Sequence, residues 1–222
     1  QVAAVVREPG TRLAMFEHPL ACFAALSFGL MWGFPYLLEG EGVSPAVAGA
    51  LFTVFVLGSV VAGPIIGMLT RRYPLRRSTL AMLAALTAIV PWVVVALWPG
   101  PAPMWLLVLL VLGLSVSGPG SNIGLDHART FNPPERLGTA TGTVVMAGFA
   151  GVLLAILSTG IALDVVRAGQ TATLTDYRVA IMSAQIPLWL ICWIGLLVSR
   201  RQTRAKHGID VPPWREVIQR QR

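Results

Sequence analysis

Charge is what this sequence lacks. Only 12% of its 222 residues are Asp, Glu, Lys or Arg, about half the share found in a soluble domain of this size. The scarcity is concentrated in runs: residues 19–38, 45–70, 78–98, 103–125, 138–163 and 179–199 contain no Asp, Glu, Lys, Arg or His at all. A water-soluble globule is excluded, because such runs cannot supply a polar surface. Cysteine is nearly absent as well. Cys22 and Cys192 both fall inside uncharged runs and have no metal-ligand spacing, so they read as free, buried thiols, and neither a disulfide framework nor a metal site is expected. Residues 1–10 lack the basic segment and apolar core of a signal peptide. A first residue of Gln, where Met would open a chain, is expected if something upstream is missing.

What is present is length and hydropathy. Each uncharged run reaches the roughly 20 residues needed to cross about 30 Å of hydrocarbon, and mean hydropathy is +0.70. The expected fold is therefore an all-α integral membrane bundle of six transmembrane helices. The expected division is a cytoplasmic linker over 1–18, the bundle over 19–199 and a basic cytoplasmic tail over 200–222. In that tail Pro212-Pro213-Trp214 starts a short surface helix or nothing ordered. A net charge of +7 raises the question of nucleic acid. The aromatics, however, sit inside apolar runs and are not interleaved with arginine, so no nucleic-acid partner is expected, and orientation in a lipid bilayer explains the charge better. One side of the spans carries Arg7, Arg12, Arg71, Arg72, Arg76, Arg77, Arg129, Arg136, Arg200, Arg201, Arg204, Lys206, Arg215, Arg220 and Arg222; the other has only Arg167 and Arg178. By the positive-inside rule both termini are cytoplasmic, in a plasma (inner) membrane.

The connections are short. Residues 39–44 and 98–103 are rich in Gly and Pro, as tight turns require, and Pro45 and Pro103 fall where a following helix starts. The first and fourth runs share an echo: Pro19 and Pro103 open them, and Pro35 and Pro119 follow 16 positions later, beside Gly33 and Gly118. The two runs point in opposite directions, which suggests two inverted three-helix repeats of the kind found in secondary transporters. Expected helix kinks are Pro35, Gly63, Pro64, Gly118 and Pro119. Glycines at 138, 142, 148 and 151 give the fifth run a smooth face for close helix contact. No ionisable residue lies in any run, and Glu39 and Asp164 sit at outer boundaries. A proton-coupled mechanism would therefore draw on a boundary carboxylate or on another polypeptide segment. No cofactor is expected.

The most specific stretch is Gly67-Met68-Leu69-Thr70-Arg71-Arg72-Tyr73-Pro74-Leu75-Arg76-Arg77, between the second and third runs. It resembles the signature loop of the major facilitator superfamily, a glycine and an aliphatic residue followed by a tight turn and several arginines. Two positions depart: Arg71 stands where the family has Asp, and Pro74 where it has Gly, so the Asp-based gating contact does not carry over. Residues 58–67 are similar to the glycine–proline kink motif of exporters in that superfamily, but the motif belongs to another helix there and the exporter label is not transferred. The resemblance covers about residues 12–200 and implies the C-terminal six-helix half of a twelve-helix secondary transporter, partnered by an N-terminal half and moving a small solute between the halves.

On that reading Gly67, Arg72, Arg76, Arg77, Asp126 and Arg129 serve a cytoplasmic gate, in which Asp126 exchanges arginine partners. A plain anchor loop and a static Asp126–Arg129 pair are the bland alternatives. Trp32, Tyr36, Asn122 and Thr141 are candidates for the solute path; packing is the competing account of each. Two other functions compete. A non-catalytic membrane subunit would show the same spans. A rhomboid-like serine protease would use Ser115-Val116-Ser117-Gly118, yet His18, His127 and His207 all lie outside the runs and leave a serine without its base. No enzymatic activity is expected.

Overall fold

In lipid a spanning segment must satisfy its own backbone, and the α-helix does so. The computed structural model describes residues 1–211, so the expectation about Pro212-Pro213-Trp214 lies outside the described residues. Six helices are long and apolar enough to span: Pro9–Gly40, Pro45–Arg72, Pro74–Leu97, Met104–Thr130, Pro134–Arg167 and Leu174–His207. They are called here the first to sixth spans. Ser44 caps the second span, its Oγ accepting from Val47 N at 3.4 Å. A reciprocal capping box opens the sixth, where Thr173 N donates to Asp176 Oδ2 at 2.8 Å and Asp176 N to Thr173 Oγ1 at 3.3 Å.

The helices outrun the uncharged runs. The first span starts at Pro9, behind a short helix over Val2–Arg7, so residues 9–18 are its first turns, and Pro19 lies inside the helix. Glu17 and His18 therefore enter the bundle, as does His127 in the fourth span. All three lie outside the uncharged runs, where the helices continue beyond them. A charge-free criterion ends a span at its first ionisable residue, although a helix continues past it wherever that residue finds a partner.

The first and fourth spans hold the centre. The first packs mainly against the fifth and sixth, the fourth mainly against the second and third, and the two also meet each other. Exchanging first with fourth, second with fifth and third with sixth maps these central contacts onto one another, as two inverted three-helix repeats require, although the fifth and sixth spans pack closely together while the second and third barely meet. The central helices are also the irregular ones. In the first span, wide π-type turns over Phe28–Trp32 and Tyr36–Gly40 flank Gly33–Pro35, where proline supplies no N–H to the ladder. The fourth breaks at Ser121, between Met104–Gly120 and Asn122–Thr130, just past Pro119. Pro64 sits within one continuous helix over Pro45–Arg72.

Close packing concentrates at a few glycines. A Cβ on Gly113 would lie 1.8 Å from the Thr87 carbonyl oxygen, one on Gly195 2.5 Å from the Phe16 ring, and one on Gly148 2.3 Å from His18. At Gly63, Gly67, Gly138 and Gly142 it would meet nothing within 4 Å. The close approach expected at Gly63, Gly67 and the start of the fifth span is therefore absent within the described residues. Further along that helix Gly148, Gly151 and Gly160 face a neighbour, the first span.

Candidate functional site

A concavity of about 670 Å³ opens between the first, second, fourth and fifth spans. Its wall is mostly apolar, with His18, Ser59, Ser121 and Asn122 as the polar residues. The break at Ser121 shapes it. Ser121 O accepts from Gly124 N at 3.0 Å and from His18 Nδ1 at 2.9 Å. Because a carbonyl can only accept, this bond holds the proton on Nδ1 and leaves the Nε2 lone pair of neutral His18 free, against Gly148. His18 is thus an oriented, half-buried imidazole on the wall of an otherwise apolar hollow. Sequence reasoning missed it because the residue precedes the first uncharged run; the signal that could have found it is that Pro19 does not stop a helix already under way.

Of the four expected path residues, the structure brings Asn122 to this concavity. Thr141 bonds its own helix, donating to Leu137 O at 2.7 Å. Trp32 Nε1 donates to Ile156 O at 3.0 Å and fastens the first span to the fifth. Tyr36 is fully buried, part of a polar knot at the opposite end of the molecule from the arginine loop. In that knot Tyr36 Oη and Arg178 Nη2 both donate to Glu41 Oε1, the latter at 2.9 Å. Ala102 N donates to Glu41 Oε2 at 2.6 Å and Arg178 Nη1 to Trp98 O at 2.7 Å. One carboxylate and one guanidinium thereby tie together the first span, the turn before the fourth and the start of the sixth. Beside it Tyr177 Oη donates to Glu39 Oε2 at 2.5 Å.

At the arginine-rich end, His127 Nδ1 donates to the buried Glu17 Oε2 at 2.5 Å, across 110 residues of sequence. Asp126 pairs with Arg129 at 3.8 Å, both largely exposed. Arg77 Nη1 donates to Thr130 Oγ1 at 2.9 Å, linking the loop to the fourth span, while Arg72 lies over the Tyr73 ring at 5.8 Å. Ser117 Oγ donates to Ala21 O at 2.6 Å and Ser115 Oγ to Leu112 O at 2.7 Å; both hydroxyls are engaged by backbone, as helix-packing serines are. Gln185, which reads from sequence as bonding a neighbouring helix, is buried with its Oε1 unpaired among the described residues.

Comparison with known families matches residues 19–220 to the Major Facilitator Superfamily. The chain belongs to this superfamily. Neither the comparison with curated proteins nor that with solved structures gave a match. Membership makes the chain a membrane transporter of the major facilitator type.

Proposed function

We propose that this chain is the C-terminal six-helix half of a secondary transporter, carrying a small solute by alternating access between two bundles. The observation that carries the reading is the concavity whose four walls include the second and fifth spans, the helices with least of their length buried in this chain. Glycines 63, 67, 138 and 142 on those spans are open to a neighbour, and small residues in lipid are where helices approach. An N-terminal half is the partner that covers them and closes the cavity. Orientation follows from arginine bias, with both termini cytoplasmic in the plasma membrane. Arg72, Arg76 and Arg77, with Asp126 and Arg129, serve the inner gate. His18 faces the solute and is the group that carries a proton if flux is proton-coupled, its free Nε2 being the available acceptor.

The test is flux in proteoliposomes of the intact transporter, with a pH-sensitive dye inside and a panel of small solutes outside. Solute-driven proton movement in the wild type that His18→Asn abolishes supports the assignment. Solute flux left unchanged by His18→Asn, Arg76→Gln and Asp126→Asn removes both the site and the gate. Gly142→Trp should leave this bundle folded and stop flux; normal flux would show that no partner covers the fifth span.

A further inference from the structure

A second cavity, of about 290 Å³, lies at the arginine-rich end, where the third, fourth and sixth spans converge. It shares no lining residue with the concavity above. Arg77, Arg200 and Arg204 line it, with His127 and the hydroxyl residues Ser78, Thr130 and Thr203. The carboxylates at this end are committed elsewhere: Glu17 to His127, Glu8 to Lys206 and His207, Asp126 to Arg129. None of them lines the cavity, so three guanidiniums share one hollow with Glu17 behind it as the nearby counter-charge. Arg77 and Arg200 each spend one Nη on a threonine hydroxyl. Yet the Nε of both is buried with no hydrogen-bond partner. Buried donors without acceptors are costly, and crowded guanidiniums repel one another; an anion in the cavity relieves the repulsion.

We propose that this cavity binds a phosphate group. Guanidinium forks match phosphate oxygens in pairs, and a carboxylate has too few oxygens to serve three arginines. The cavity sits at the arginine-rich ends of the helices; on the orientation proposed above, this is the headgroup level of the inner leaflet, where basic pockets between helices meet anionic lipid. The same chemistry admits a soluble phosphate, and the experiment separates the two sources.

The full chain is reconstituted in phosphatidylcholine nanodiscs. Retention of phosphatidylglycerol, and separately of inorganic phosphate, is read by native mass spectrometry after titration. Arg200→Gln and Arg204→Gln should each weaken phosphatidylglycerol retention about tenfold, while Arg201→Gln, an exposed neighbour, should not. Retention of inorganic phosphate with the same variant dependence, and none of phosphatidylglycerol, identifies a soluble source for the same site. Retention that ignores Arg200 and Arg204, falls equally in Arg201→Gln, or is absent for both probes overturns the proposal. Should Arg200→Gln fail to fold, Arg204→Gln carries the test, and Arg204→Lys should recover part of the binding because the charge returns.

Discussion

Glu41 and Arg178 lie 137 residues apart in sequence and form a buried ion pair with Nη2 and Oε1 at 2.9 Å. Each oxygen and most of the guanidinium is further engaged by Tyr36, the Ala102 amide and the Trp98 carbonyl. In low dielectric such a pair is costly to break from one side, because the remaining charge has no water to turn to. Glu41→Gln should therefore destabilise the bundle by about 3–5 kcal/mol, read as a lowered denaturation midpoint in detergent. Replacing both partners, Glu41→Gln with Arg178→Met, should recover part of the loss. A double variant no better than the single one would sink the account.

Gly113 sits where the third and fourth spans touch. Gly113→Ala would push its methyl into the Thr87 carbonyl, which cannot rotate away, and break the 2.8 Å bond from Thr87 Oγ1 to Gly113 O. A loss of about 1–3 kcal/mol is expected for such overpacking, whereas Gly142→Ala, with nothing within 4 Å, should leave the midpoint of this chain unchanged. Thermal unfolding of the two variants side by side decides the matter.

Glu8 fastens the N-terminal segment to the end of the sixth span, with Lys206 Nζ at 2.5 Å and His207 Nε2 at 2.9 Å. Partial burial pushes its carboxyl up, but the hydrogen bonds from Lys206 and His207 outweigh this and hold it below the ordinary value of 4.5. A depressed folded-state value means the contact contributes stability above pH 4.5 and loses it as pH falls through the lower, folded value. Spin labels at positions 4 and 205, on a chain with Cys22 and Cys192 replaced, should report a narrow distance distribution at pH 6 that broadens under acid. In Glu8→Gln the distribution should be broad at both.

Gly148 backs the His18 ring, and Gly148→Ala puts a methyl 2.3 Å from it. The ring must turn, which breaks the 2.9 Å bond to Ser121 O and frees the tautomer. Transport by the intact protein should then lose its pH dependence while the bundle still folds. A pH profile that matches the wild type would show that the orientation of His18 plays no part.

The sequence on its own determined the parts that depend on local composition. Uncharged runs fixed the number of spans, arginine bias fixed the expected orientation, and Pro35 and Pro119 marked the two central helices that turn out irregular. The loop over residues 67–77 led to the superfamily that the family comparison then showed. What composition does not encode is which side chains meet. Glu17 with His127, Glu41 with Arg178 and His18 with Ser121 are separated by more than a hundred residues each, and only packing decides that these polar groups meet. For the same reason Tyr36, a candidate for the solute path by its position, becomes a core hydrogen-bond donor, and of the glycines on the fifth span 138 and 142 stay open while 148 and 151 pack on the first. Hydropathy is a property of a segment read alone, whereas the pairing of polar groups depends on which helices the folded chain brings side by side.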